Sequence, residues 1–192
     1  MMVVFDFDKT LTFKDTLIGF YKITNKSNLS YYIKRVLLIM SAICYKLKII
    51  SNNRLKKIGL GLFLKGKDKS YIDEKAKMYA ASIKLNEIYY KDYLKYPIKD
   101  RMIVSASFIE YLKPLFPNEK LLASSLLYSK SEIVIGLQDN MYADKKRVAL
   151  FENGIKHIDL LYTDSYSDKA LMEISDKVFL INNGVKNVMN NG

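Results

Sequence analysis

The sequence predicts an α/β fold, an open parallel sheet core with an inserted helical cap. Three observations predict it. After residue 100 short apolar runs alternate with helical patterns, the signature of an open parallel sheet with its site at the strand C-termini. The interval between Asp8 and Ser105 is too long for a loop, and its apolar residues recur at helical spacing. Charge divides the same way: residues 13–100 hold 19 Lys and Arg against 7 Asp and Glu, and the remainder hold 12 against 13. The insert therefore carries the basic bias of a chain whose net charge is +11. We place the core at 1–12 and 101–192 and the cap at 13–100.

Each element has its own signal. Val3-Val4-Phe5 opens the first strand and delivers Asp6 and Asp8 on alternate residues, so both begin on one face, with Thr10 following as the strand opens into a loop. Paired acids at a strand end point to phosphoryl-transfer chemistry; a strand end with a loop cap is the plainer reading. The first cap helix starts over Asp15 to Tyr21, where Asp15 either caps the helix or lines a substrate chamber. Projected at about 100° per residue, Tyr31 to Ile50 puts Ile33, Val36, Leu37, Met40, Ile43, Cys44 and Leu47 on one face, with Lys34, Arg35, Ser41, Lys46 and Lys48 opposite. The apolar face of this basic helix is expected to pack against neighbouring cap helices. A third helix runs from about Asn53 to Leu64 and closes at Gly66. Ser70 with Asp73 suggests an N-cap for a fourth, through Ile72, Ala76, Tyr79 and Ile83. Pro97 ends the cap.

Arg101 to Ser107 is the second core strand, with Ser105 at its C-terminus. The helical pattern through Phe108, Ile109, Leu112 and Leu115 would put free amides just after Ser105, where phosphate oxygens bind well, and Ser107 could serve as the N-cap. Lys120 to Ser124 and Ile133 to Leu137 flank a turn at Tyr128 to Ser131 and predict a strand and hairpin. The stretch Asn140 to Leu150 begins a helix with Val148 and Phe151 as core contacts and a lysine available for a phosphate. Ile158 to Thr163 is a strand running into Asp164-Ser165-Tyr166-Ser167-Asp168, an acidic turn suited to a hard cation. A helix around Leu171 and Ile174 follows, Val178 to Ile181 is the last strand, and the Asn-rich tail reads as frayed.

The four segments Phe-Asp-Phe-Asp-Lys-Thr-Leu-Thr, Val-Ser-Ala-Ser, Asn-Met-Tyr-Ala-Asp-Lys-Lys and Tyr-Thr-Asp-Ser-Tyr-Ser-Asp occur in a fixed order. In that order the chain resembles the haloacid dehalogenase-like hydrolase superfamily, in its phosphoserine-phosphatase-like branch, over nearly its whole length. The resemblance implies a Rossmann-like core and a Mg²⁺-dependent phosphatase. It makes Asp6 the nucleophile, Asp8 the general acid and base, and Thr10 and Ser105 the phosphate contacts. Mg²⁺ would be held by Asp6, the backbone carbonyl of Asp8, and Asp164. The functional lysine aligns with Lys146 rather than Lys145. Asp168 supports the metal through water or orients Lys146.

Composition bounds the alternatives. At 192 residues the chain can hold one core and an accessory subdomain. The single cysteine, Cys44, excludes an internal disulfide and reads as a packed thiol. No basic segment precedes a long apolar stretch, and the longest uncharged apolar block, Val36 to Tyr45, is short of the ~20 residues a spanning helix needs. The expected location is cytoplasmic, and the expected partner is a small-molecule phosphate ester. A lipid-phosphate phosphatase touching the inner face of an anionic membrane is the nearest rival. A non-catalytic anionic-ligand binding module is a third reading, and nucleic acid is not an expected partner. His157, the only histidine, is read as structural or solvated. Asp15 and Arg54 are candidate cap contacts to a substrate.

Overall fold

The computed structural model describes residues 1–25, 27–182 and 184–190. Its strands are β1 Val3–Phe5, β2 Arg101–Phe108, β3 Leu121–Tyr128, β4 Val134–Asp139, β5 Ile158–Thr163, β6 Ser175–Asn182 and β7 Val185–Asn190. They form one sheet in the order β4-β3-β2-β1-β5-β6-β7. The five strands from β3 to β6 in this order run parallel, and β4 and β7 are antiparallel edges. The short first strand is thus the central one. Phe5 lies level with Ile103 on one side and Tyr162 on the other, so the residue after Phe5 leaves the sheet where strand order reverses. In open α/β sheets this switch point is where ligands bind.

Between β1 and β2 the chain forms five helices, α1 Leu17–Ile23, α2 Asn28–Lys46, α3 Asn52–Phe63, α4 Lys69–Ser82 and α5 Glu87–Leu94. Three more, α6 Ile109–Leu115, α7 Asp144–Glu152 and α8 Lys169–Met172, belong to the second half. Alternation along the strands divides the core between two faces. Val3, Phe5, Ile103, Tyr162 and Phe179 join one cluster with Phe20, Tyr93 and Tyr111 of the helices. Val4, Met102, Val104, Leu161 and Val178 join a second with Leu150 and Leu171.

The structure departs from the sequence reading at several elements. Val178 to Ile181 is not the last strand: β6 is longer, and Val185–Asn190 returns beside it as β7, because ladder bonds to β6 order an otherwise polar tail. The end of that tail, residues 191 and 192, lies outside the described residues. Helix α5 went unread, its pattern being dominated by tyrosines, of which Tyr89 and Tyr93 are buried. Helix α6 starts at Ile109, so no helix opens directly after Ser105, and Phe108 rather than Ser107 occupies its N-cap. At α4 the N-cap is Asp68. On α7, Val148 and Phe151 are exposed, whereas Lys146, Ala149 and Leu150 are buried. The helix is turned by the inward pointing of Lys146, with which residues three and four further on share a face. Helix α2 presents its apolar stripe outward: only Tyr31 and Leu38 are buried, and Cys44 is half-buried. Among the described residues no helix is long and apolar enough to cross a membrane.

Candidate active site

Asp6 follows β1 directly and stays tied to the sheet, its N–H donating to the Tyr162 carbonyl at 2.8 Å. The alternation expected to aim Asp6 and Asp8 together does not operate. The strand ends at Phe5 and the chain coils into a tight π-type turn over Phe7–Leu11, with Lys9 in the left-handed region at φ 56°. Asp8 is aimed instead by its partners. One carboxylate oxygen accepts from the Thr16 N–H at 2.8 Å and the Thr16 hydroxyl at 2.7 Å, and the other accepts from the Ser107 hydroxyl. Thr16 in turn meets the Tyr111 hydroxyl at 2.9 Å.

Lys146 is brought in by the first turn of α7. Its Nζ donates to Asp6 Oδ1 at 3.0 Å and to Asp168 Oδ2 at 2.9 Å, and both Lys146 and Asp168 are buried. Asp168 also accepts from the Thr163 hydroxyl at 2.8 Å, which fixes it at the C-terminal end of β5. Lys145 is exposed. Ala143, just ahead of α7, has φ 52° and ψ −127°, a conformation that costs a residue with a Cβ of order 1–3 kcal/mol. That strain sits in the turn that delivers the buried lysine. Asp164 is partly buried, with the Lys9 ammonium 3.9 Å away. Ser105 is buried, its hydroxyl oxygen accepting from the Ser107 N–H at 3.0 Å. The buried Thr10 hydroxyl has no hydrogen-bond partner among the described residues.

Electrostatics follow from crowding. Four carboxylates, Asp6, Asp8, Asp164 and Asp168, crowd together, and the buried Lys146 ammonium bonds to two of them, Asp6 and Asp168. Burial drives Asp6 well above the usual carboxylate range; Lys146 opposes this, and Asp168, Asp164 and Asp8 reinforce it. Asp164 is raised mainly by burial. Burial works against the charge on Lys146, but Asp6 and Asp168 outweigh it and hold Lys146 cationic. Asp8 is pushed up to about 6, chiefly by burial, against the lowering effect of its bonds from Ser107 and Thr16. Removing a bond that favours the carboxylate must raise the value further. Ser107→Ala is therefore expected to shift to higher pH any rate limb set by protonated Asp8; an acidic shift in the pH–kcat/KM profile would contradict this.

The donor set fits a hard divalent cation. Asp164 is near enough to Asp6 to repel its charge, and the four carboxylates outnumber the local lysines Lys9 and Lys146, a negative environment of the kind a hard cation such as Mg²⁺ takes. A second group, His157, Asp159 and Asp176, could also gather round a cation, but it stands at the start of β5 and β6, the opposite end of the sheet. Asp159 there already accepts from the Met2 N–H.

A cavity of about 310 Å³ opens beside Asp8 and Ser107. Leu17, Ile18 and Tyr21 of α1, Leu38 and Ala42 of α2, and Leu55 of α3 give it an apolar wall, and Asp15 and Lys56 add charge. A larger cleft next to it, about 610 Å³, contains none of the four carboxylates. Of the two roles considered for Asp15, the N-cap of α1 falls to Thr16, although Asp15 accepts from the Leu17 N–H at 3.0 Å, and its side chain lines the cavity. Arg54 is exposed and lies outside it. The cap cation that enters is Lys56, which the sequence reading missed. It is buried and bonds to neutral oxygens only, the Ala106 carbonyl, the Ser124 hydroxyl at 2.6 Å and Asn140 Oδ1 at 3.1 Å. Burial lowers its pKa to about 7. The signal was present: Lys56 stands at helical spacing with Gly59, Leu60 and Phe63 on the buried face of α3.

No protein-family model and no curated protein matches the chain. Solved structures do. One is a protein of unknown function from Bordetella pertussis Tohama I, 14% identical over 93% of this chain and 88% of that one, with a TM-score of 0.74. Another is a phosphoserine phosphohydrolase-like protein from Francisella tularensis, 19% identical over 96% and 88%, at 0.66. A phosphoserine phosphatase in a phospho-aspartyl intermediate analogue form is 15% identical over 93% and 85%, at 0.64. At these identities the likeness is one of fold, and the fold is shared with phosphoserine phosphatases and a HAD family hydrolase. The open parallel sheet expected from the alternating pattern is met, and the expected resemblance is met at the level of the fold.

Proposed function

We propose that this chain is a Mg²⁺-dependent phosphatase that hydrolyses a phosphate monoester through an aspartyl-phosphate, on a core of residues 1–12 and 101–192 under a helical cap of residues 13–100. The observation that carries the proposal is the Lys146 ammonium held between Asp6 and Asp168 at the switch point. A phosphate dianion repels an attacking carboxylate, so preorganised positive charge is what such a reaction needs. Asp6 Oδ attacks phosphorus, the P–O bond to the alcohol breaks, and Asp8 gives its proton to the departing oxygen. Asp8, now ionised, takes a proton from water, which attacks phosphorus and frees phosphate and Asp6. Lys146 balances the phosphoryl oxygens, and the Thr10 and Ser105 hydroxyls donate to them. Asp168 keeps Lys146 aimed at Asp6. Asp6, Asp164 and the backbone carbonyl of Asp8 would hold Mg²⁺, which supplies Lewis-acid charge neutralisation when bound.

The apolar chamber wall with Lys56 and Asp15 suits a small phosphate ester with an apolar portion. A non-catalytic binder of anions is the less economical reading. A binding site gains nothing from four crowded carboxylates, which raise the cost of taking up an anion. Turnover of sugar phosphates, phospho-amino acids, nucleotides and lipid phosphates, with and without Mg²⁺, tests the proposal; a purified, folded protein inactive on every class would overturn it.

Metal removal gives a second readout. Asp6 and Asp8 hold protons more readily folded than unfolded, so from about pH 4 into the neutral range the folded state binds more protons. The metal-free protein should therefore lose stability as pH rises through that window. Cation binding needs these groups ionised, so added Mg²⁺ should raise Tm more at pH 8 than at pH 5, and chelator should abolish turnover. Equal Tm shifts at both pH values would count against a carboxylate site.

A further inference from the structure

Helix α2 is turned inside out for a packed cap helix. Leu29, Ile33, Val36, Met40, Ile43 and Leu47 recur three or four residues apart along one stripe, and each is at least half exposed, Leu29 at 71% and Leu47 at 66%. The stripe runs about 27 Å, well beyond the scattered apolar exposure usual on a soluble monomer. Cations stand at its flanks and end: Arg35, Lys46 and Lys48 are exposed and form no ion pair among the described residues. Lys34 differs, being bonded to Asn25 at 3.3 Å. Between Asp15 and Asp68 the sequence has no acidic residue and 11 Lys and Arg.

This combination selects the occupant. A second copy would bring the same uncompensated positive segment against itself. An anionic bilayer satisfies both features, taking the apolar stripe at the acyl boundary and the flanking cations among its phosphates. The helix cannot cross, so it must lie in the plane. We propose that α2 docks the protein on an anionic membrane surface through the stripe Leu29 to Leu47, with Arg35, Lys46 and Lys48 reaching the headgroups. Leu38 and Ala42, on the inner side of the same helix, line the chamber that holds Asp8, so docking brings that chamber alongside the headgroup layer. The proposal does not depend on the phosphatase reading, because binding is measured without turnover.

The test is cosedimentation of the full chain with phosphatidylglycerol–phosphatidylcholine vesicles and with phosphatidylcholine vesicles. Binding is expected to the first, at least about tenfold weaker to the second, and reduced by salt. Replacing Arg35, Lys46 and Lys48 with Gln should weaken binding on the order of 10²-fold. Ile33→Glu with Met40→Glu should abolish it while leaving Tm unchanged, since both side chains already face outward. Absence of binding to the anionic vesicles, or unchanged binding by the Glu variant, overturns the proposal. So does a dimer in solution that Met40→Glu dissociates in a protein that ignores vesicles, which would assign the stripe to a second copy.

Discussion

Asp6→Asn is expected to abolish turnover of every phosphate ester, by at least about 10⁴-fold in kcat, the scale on which losing a nucleophile is felt. The amide has the same shape but cannot form an acyl phosphate. The fold should survive, for a reason visible in the site. Burial and three neighbouring carboxylates already press Asp6 toward its neutral form, so a neutral group relieves crowding, and Lys146 keeps Asp168 as its partner. Tm should hold or rise while kcat falls. Asp8→Asn should also fail, because neither the leaving oxygen nor the attacking water would have its proton partner. Normal turnover by purified Asp6→Asn protein would reject Asp6 as nucleophile and with it the mechanism.

Lys146→Ala should lower the rate by about 10²–10³-fold, as removal of one preorganised electrostatic donor does. It should also destabilise the protein by about 3–5 kcal/mol, because Asp6 and Asp168 would be left buried without their cation. Lys146→Met, which keeps the packed stem, separates lost charge from lost packing. Lys145→Ala, at an exposed position, should change stability by no more than about 0.5 kcal/mol and leave the rate nearly unchanged. The reverse ranking of the two lysines would place the third motif one residue away.

Much of this was legible because it is local. Asp6, Ser105 and Asp164 were read at the C-terminal ends of apolar runs, and those runs are neighbouring strands β2, β1 and β5 of one sheet, so the three residues stand at the same end of it. Lys146 was placed by motif alignment alone, since helical periodicity favoured Val148 and Phe151 as the buried face. Lys56 escaped notice because a lysine in an amphipathic helix is ordinarily solvated. Only the meeting of α3 with Ala106, Ser124 and Asn140 supplies the acceptors that let it be buried.

The sequence by itself determined the order of strands and helices apart from α5 and β7, the long helical interval between the first two core strands, and the concentration of positive charge there. Each of these is a matter of composition and of repeats of 2 or 3.6 residues, which neighbours in the chain set among themselves. The tertiary structure alone decided which face each helix turns inward. On α2 the pattern announces two faces but not which of them meets a neighbour, and the structure buries Tyr31 and Leu38 while leaving the apolar stripe outside. It likewise decided that Asp8 is aimed by Thr16 and Ser107 rather than by strand alternation, and that a polar tail becomes β7 by pairing with β6. A period names a face, but what covers that face comes from residues far away in the chain, and their arrival is settled only when the whole molecule has folded.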